Sequence, residues 1–298
     1  MATEFSIDAL LPQEMATRAE YVGVRKAETP PWKVFALAVL AGAFVALGAV
    51  FATTVGTGSL VLRGPEGETW TAALPFGVQR LLSGCVFCLG LVLVVVGGAE
   101  LFTGNNLIVM AWASRKVGTA ALLRNWGIVY AGNLIGSLAT AGLVFAGGWH
   151  EMAGGAAGAA ALAIARTKVS LGFGQAVALG ILCNALVCLA VWMVYSARST
   201  TDKIAAVVFP VAAFVAAGFE HCVANMYFIP YAMMVRSGAG PGFWAAAGKS
   251  PGDYAAVDGA GFLWNLLPVT LGNVIGGAVL VAAVYWTVFL RKGPEVKP

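Results

Sequence analysis

FEHCVAN, at residues 219–225, places Glu220 and His221 in the middle of an apolar segment that is long enough to cross a bilayer. Apolar flanks extend from residue 204 to 218 and from 226 to 235. An ionisable side chain at membrane depth costs roughly 2.5–3.5 kcal/mol on insertion scales. Such side chains persist where they line a pathway or find partners inside a helix bundle.

A second polar interruption lies in the first half of the chain, in GAELFTGNN at residues 98–106. It places Glu100 at the end of another apolar segment. Unwound backbone cannot face lipid, so it must be buried in protein or line a cavity. Two polar breaks, one in each half, therefore indicate a path through the membrane.

Composition supports a membrane protein. The chain has 298 residues, of which 59% are hydrophobic and only 11% are charged, whereas soluble domains carry about 25% charged residues. The pair Cys85-x-x-Cys88 has no second ligand pair of suitable spacing, so we read its cysteines as small residues in helix contacts. No bound metal is predicted.

Six segments are apolar and long enough to span a bilayer, at about 20 residues per crossing. They cover residues 34–54, 81–99, a stretch within 125–148, 169–197, 204 to the break at Glu220, and a stretch within 259–290. An even number of spans puts both termini on one side. Basic residues are more numerous on that side, which predicts cytoplasmic termini. This bias explains most of the net charge of +4, and nucleic-acid binding is not indicated.

The two halves of the chain resemble each other. GNLIG at residues 132–136 follows the break at Glu100, and GNVIG at residues 272–276 follows the break at Glu220. Three spans in each half force the halves into opposite orientations. Inverted repeats with broken helices at corresponding positions are an architecture of pores and transporters. We therefore predict an all-α membrane protein with an inverted 3+3 repeat and with spans two and five broken.

His221 is the strongest candidate for chemistry in the path. Imidazole titrates near neutral pH when it is unperturbed, so it can donate a hydrogen bond to an anion or a proton to a weak acid. The alternative is a buried neutral histidine that bonds a carbonyl group. The adjacent acid and the broken span favour the functional interpretation. Glu220 points to a different helix face and is expected to orient backbone in the break, and Asn225 shares a helix face with His221.

Several longer motifs carry a family resemblance. They are ELFT at 100–103, FEHCVANM at 219–226, CNALVCLAVW at 183–192, and NW at 125–126 with GNLIG at 132–136. On these motifs the chain resembles the formate/nitrite transporter family over residues 12–290, and most closely its formate branch. Two stretches depart from that branch, namely an insertion at 63–69 and GNN at 104–106.

The resemblance implies an aquaporin-like protomer of six helices in a homopentamer, with one pore per protomer in the cell inner membrane. It implies transport of small monovalent anions, with formate as the leading substrate and nitrite or hydrosulfide as alternatives. It implies no cofactor and no enzymatic activity. The corresponding domains are a cytoplasmic amphipathic segment at 1–33, a channel domain at 34–290 and a cytoplasmic tail at 291–298.

The resemblance also implies roles for individual residues. An outer constriction would be formed by Phe87, Leu91 and Phe214, and an inner constriction would include Leu101.

Thr103 would face His221 from the opposite half. Asn184 and Lys168 would line the outer approach and attract anions. Protonation of formate by His221 would then let neutral formic acid pass the apolar rings.

Two other classes of function compete. A neutral-solute channel of aquaporin type is disfavoured because neither break contains Asn-Pro-Ala. A membrane enzyme that uses Glu220 and His221 as acid and base lacks a nucleophile and a substrate domain outside the membrane.

Overall fold

The computed structural model of the chain describes residues 8–291, without the side chains of residues 60–63. The first half contains α1 (Pro12–Glu28), α2 (Pro31–Val55), the strands β1 (Leu60–Arg63) and β2 (Thr69–Ala72), α3 (Phe76–Gly97), a 3-10 turn (Gly104–Ile108), α4 (Val109–Ala113) and α5 (Thr119–Ala146). The second half contains α6 (Ala156–Val169), α7 (Phe173–Ser196), α8 (Thr200–Ala217), α9 (Cys222–Gly238), α10 (Pro241–Ala247), α11 (Gly259–Val274), a π-helical segment (Ile275–Ala283) and α12 (Val284–Phe289).

Six helical stretches are long and apolar enough to cross a membrane, which confirms the predicted number of spans. The first, second, third and fifth of them start earlier than predicted. The third span begins at Thr119. The fifth begins at Thr200 because Ser199 and Asp202 form a capping box, in which Asp202 N–H donates to Ser199 Oγ at 3.1 Å.

Two regions between spans contain more regular structure than the sequence indicated. Residues 237–258, between two spans, contain the short helix α10, which begins at Pro241 and is followed by Gly248 with a φ of +59°. Proline at a helix start and a left-handed glycine after its end are common helix boundaries. The predicted insertion at 63–69 belongs to a hairpin in which β1 pairs antiparallel with β2.

The repeated GNLIG and GNVIG motifs bring helices together closely. A Cβ atom on Gly136 would collide with the carbonyl oxygen of Val39 in α2, and one on Gly276 would collide with that of Ile181 in α7. Small residues allow such close approach of membrane helices. The motifs therefore pack α5 against α2, and the end of the α11 span against α7.

Helix α1 packs at one end of the bundle, against elements of both halves of the chain. Its Met15, Ala16 and Ala19 are buried in one apolar cluster with Leu107 and Met110. The N-terminal segment predicted at 1–33 is therefore in contact with the membrane domain over its described part. Residues 1–7 and 292–298, which include almost all of the predicted C-terminal tail, lie outside the described residues.

Candidate functional site

Both broken spans end in the same way. Helix α3 stops before Gly98, which has a φ of +75°, and α8 stops before Gly218, which has a φ of +77°. Glycine tolerates this left-handed conformation without the steric cost that other residues meet. Two residues later, Glu100 N–H donates to Leu37 O at 3.2 Å and Glu220 N–H donates to Leu179 O at 3.3 Å.

An asparagine from each GN motif satisfies the backbone of one break. Asn133 Nδ2 donates to Ala38 O at 2.8 Å and to Glu100 O at 2.9 Å, and its Oδ1 accepts from Phe102 N–H at 2.9 Å. Buried backbone groups that lose their helix partners would otherwise be costly in lipid.

The second half repeats these bonds. Asn273 Nδ2 donates to Gly180 O at 2.8 Å and to Glu220 O at 2.9 Å, and its Oδ1 accepts from Cys222 N–H at 2.9 Å. The sequence repeat therefore corresponds to a structural repeat, in which each asparagine hydrogen-bonds the backbone of a break and the backbone of a neighbouring helix.

The carboxylate of Glu100 belongs to a group that we call the first network, consisting of Lys26, Glu100, Asn105 and Asn125. Lys26 Nζ lies 2.8 Å from both Glu100 Oε1 and Asn105 Oδ1. Asn105 Nδ2 donates to Glu100 Oε2 at 2.6 Å and to Asn125 Oδ1 at 2.9 Å. Helix α1 thus supplies the counter-charge for the first break.

The second network consists of Lys168, Glu220, Asn225 and Asn265. Lys168 Nζ donates to Glu220 Oε1 at 2.8 Å. Asn225 Nδ2 donates to Glu220 Oε2 and to Asn265 Oδ1, each at 2.7 Å. A buried carboxylate needs this combination of a cation and hydrogen-bond donors to remain charged.

His221 and Thr103 connect the two breaks. Thr103 Oγ1 lies 3.0 Å from His221 Nε2, and both side chains are buried. His221 Nδ1 accepts the N–H of Ala224 at 3.1 Å. Because Nδ1 is an acceptor, the proton of a neutral ring is assigned to Nε2, which points towards the threonine hydroxyl.

A cavity of about 440 Å³ reaches His221 from the end of the bundle where α2 ends and α3 begins. Phe87 and Phe214 line it and pack edge to face, with ring centroids 5.8 Å apart. Phe214 also stacks on His221 at 5.9 Å. Lys168 lines the same cavity. The cavity therefore combines a positive charge, an aromatic wall and the imidazole.

Arg80 is a further cation in this cavity. Its Nε donates to Ala216 O at 3.0 Å, and its Nη2 donates to Val215 O. These carbonyl groups belong to the C-terminal end of α8, where a helix carries partial negative charge. The guanidinium group offsets that charge next to the approach to His221.

Three residues that were predicted to form the constrictions or the outer approach do not line this cavity. Leu91 and Leu101 are buried in the apolar core. Asn184 was expected at the outer approach, but its Nδ2 donates to Asn106 Oδ1 at 2.8 Å and to Asn273 O at 2.6 Å. Polar partners inside the bundle thus occupy its amide group, and its role in the outer approach stays a prediction.

The two networks, the breaks and the cavity contain further residues that were not predicted as site residues from the sequence. They are Lys26, Arg80, Asn105, Asn125, Asn133, Asn265 and Asn273. The recurrence of GN in both halves was a usable signal for two of the asparagines. Among residues 8–291, no group of three or more His, Cys, Asp or Glu side chains is arranged to hold a metal ion.

Six membrane spans, two repeated breaks and a cationic cavity that ends at a buried histidine define a multi-pass membrane transport protein. The chain belongs to the formate/nitrite transporter family, because the family model described as "Formate/nitrite transporter" matches residues 13–287. The family predicted from the sequence motifs is thereby confirmed.

Relatives with similar sequences are named as formate channels. The chain is 45% identical to "Formate channel FocA" of Escherichia coli strain K12, over 98% of this chain and 99% of that protein. It is 40% identical to "Formate channel FocA" of Haemophilus influenzae, over 92% of each chain. A solved structure of a "Pentameric formate channel with formate bound" superposes with a TM-score of 0.80 and 44% identity, and the match covers 88% of this chain and 98% of that one.

Proposed function

We propose that this protein is a pentameric channel for small monovalent anions, with formate as its main substrate. The observation that carries the proposal is the cavity that Lys168 and Arg80 share with His221, since it presents fixed positive charge and then a hydrogen-bonding imidazole. The formate channels among the relatives support formate as the substrate, and the similar solved channel, which is pentameric, supports the pentamer.

Lys168 is proposed to attract the anion. Among the described residues its Nζ makes one hydrogen bond, to Glu220, and it also lies 5.4 Å from the Phe228 ring centroid on the cavity wall. An ammonium group has three donors, so donors remain available to a carboxylate that enters the cavity. The aromatic wall beyond it disfavours hydrated cations.

His221 is proposed to act as a neutral donor at the narrow part of the path. A positively charged ring would need a proton on Nδ1, and the bond from Ala224 N–H occupies that atom. The neutral ring can turn its Nε2–H from Thr103 to a carboxylate oxygen without loss of that bond. The proton that converts formate to formic acid is then taken from hydronium in the aqueous mouth of the cavity, which leaves a water molecule behind, so His221 itself does not have to supply it.

The same site fits nitrite and hydrosulfide by charge and size, so these remain the alternative substrates. A channel for neutral solutes fits less well because cations line the approach. The proposal further assigns the protein to the cell inner membrane with cytoplasmic termini, based on the distribution of basic residues, and it includes no enzymatic turnover.

Flux into proteoliposomes tests the proposal. Formate, nitrite, hydrosulfide, acetate and glycerol would be compared at about pH 5.5 and about pH 7.5, because protons for the formation of formic acid are more abundant at the lower pH. We expect rapid formate uptake that rises at the lower pH, with little glycerol entry. Faster nitrite or hydrosulfide flux would overturn the substrate but not the anion channel. Faster glycerol flux, or flux equal to that of protein-free liposomes, would overturn the function.

A further inference from the structure

A second cavity lies at the end of the bundle that carries α1 and the last turn of α12. Its volume is about 590 Å³. Arg115 and Lys116, which follow α4, line one side, and Arg291 lines another. Trp286 and Leu290 supply an apolar wall. This cavity is separate from the one that reaches His221, and the transport mechanism does not use it.

The cavity carries a surplus of positive charge. Lys116 Nζ pairs with Glu20 Oε2 at 2.5 Å, so these two charges offset each other. Arg115 and Arg291 are both exposed. Within residues 8–291, neither guanidinium group has a carboxylate partner within salt-bridge distance. Two arginine forks are therefore available to an anion, and planar forks of this kind suit phosphate oxygens.

The position of the cavity matches the boundary between hydrocarbon and water. Trp286 lies in the final helical turn of the sixth span, and its Nε1–H donates to Ser114 Oγ at 2.9 Å. Tryptophan and arginine at span ends are typical of the headgroup region. Basic pockets between membrane helices at this level are suited to anionic lipid headgroups.

Arg115 also has a left-handed backbone conformation, which is sterically unfavourable for a residue with a Cβ atom. Arg115 has a φ of +60°, one of two positive values among non-glycine residues in the described chain. Glycine would occupy this helix end without that cost. The strained conformation instead presents a long cationic side chain at the rim of the cavity.

We propose that this cavity binds an anionic glycerophospholipid of the adjacent leaflet. The phosphate group bonds Arg115 and Arg291, and the first part of an acyl chain lies along Trp286 and Leu290. A soluble phosphate ion shares the headgroup chemistry but lacks the acyl chain, so the apolar wall favours the lipid as the source.

Native mass spectrometry of the detergent-solubilised full chain tests the site. The protein would be titrated with phosphatidylglycerol and, separately, with phosphatidylcholine. We expect phosphatidylglycerol to bind about tenfold more tightly, and the double variant R115Q/R291Q to lose that preference. The matched control is R18Q, which removes an exposed arginine of α1 that does not line the cavity. Equal binding of the two lipids, or equal loss in R18Q, would overturn the site.

Three further measurements separate lipid from free phosphate, loss of charge from loss of fold, and this cavity from other lipid sites. Inorganic phosphate in excess should leave bound phosphatidylglycerol in place, and displacement at millimolar concentration would assign the cavity to a soluble anion instead. The variant R115K/R291K keeps both charges but not the planar forks, so it should keep part of the preference for phosphatidylglycerol. A loss as complete as in R115Q/R291Q would show that charge at the cavity does not determine binding. Brominated phosphatidylglycerol should quench less fluorescence in W286F than in the unmodified protein, and equal quenching would place the lipid elsewhere.

Discussion

The first and second networks are built from the same residue types, but they hold their lysines differently. Lys26 donates to both Glu100 and Asn105, so the amide oxygen of Asn105 is occupied. Lys168 donates to Glu220 alone, and the Oδ1 atom of Asn225 has no partner within the described part of the chain. We call the first network closed, because its lysine bonds both the carboxylate and the asparagine oxygen. We call the second network open, because its lysine bonds the carboxylate and also lines the cavity.

The elements that supply the two lysines account for this difference. Lys26 lies near the end of α1, which packs over the first break with its own apolar face. Lys168 lies in the last turn of α6, next to open space that the aromatic residues of the cavity bound. The comparison indicates that the first network holds α1 against the bundle, whereas the second network places a lysine where it can attract an anion.

The largest effect should follow from removal of the asparagine common to both halves. N273A leaves Cys222 N–H and two carbonyl groups without their partner, at about 1–3 kcal/mol for each buried group. We expect strong destabilisation in thermal unfolding, and the same in N133A. T167A, which removes an exposed hydroxyl group, should unfold like the unmodified protein. If only one of the two substitutions lowered the unfolding temperature, the structural equivalence of the halves would be refuted.

Replacement of the histidine that joins the halves should change transport rather than stability. H221N removes the Nε2–H donor that faces Thr103, and loss of one hydrogen bond to an ion costs about 1.5–3 kcal/mol. We therefore expect the preference for formate over chloride to fall at least about tenfold, while the rise of uptake at low pH and the oligomer persist. T103S keeps the hydroxyl group and should behave like the unmodified channel. An unchanged preference for formate over chloride in H221N would contradict a role for His221 in the path.

Whether a feature of the fold or the site could be predicted depends on how far apart in the sequence the contacting residues lie. The six spans and both breaks follow from local apolar patterns, and the GN motifs indicated which helices correspond. The partnership of Lys26 with Glu100 was not predictable, because it requires α1 to fold back across the first break. The bonds of Asn184 to Asn106 and Asn273 were not predictable either, because a polar residue on an apolar span can face either a cavity or a neighbouring helix, and sequence periodicity does not distinguish the two.

The two lysines provide the most direct test of the contrast between closed and open networks. K168Q removes the cation that lines the cavity, so formate uptake at low concentration should fall about fivefold and become less sensitive to salt. K26Q should leave uptake nearly unchanged but loosen α1, which would be measured as faster hydrogen exchange in residues 12–28. Equal losses of uptake in the two variants would show that the networks do not differ in function.

Arg80 should give the smallest effect, because its guanidinium group lines the cavity but is already bonded to carbonyl groups at the end of α8. R80Q leaves Val215 O and Ala216 O without their cationic partner, and the partial negative charge at the end of α8 then faces the cavity. We expect formate uptake to fall about threefold at low ionic strength and to recover at high salt.

R236Q is the matched control, since Arg236 also donates to a carbonyl group, Val257 O at 3.0 Å, but does not line the cavity. An equal, salt-independent loss in both variants would mean that the arginines act through stability alone. A loss confined to R80Q would show that the open network works together with a charge supplied by the other half of the repeat.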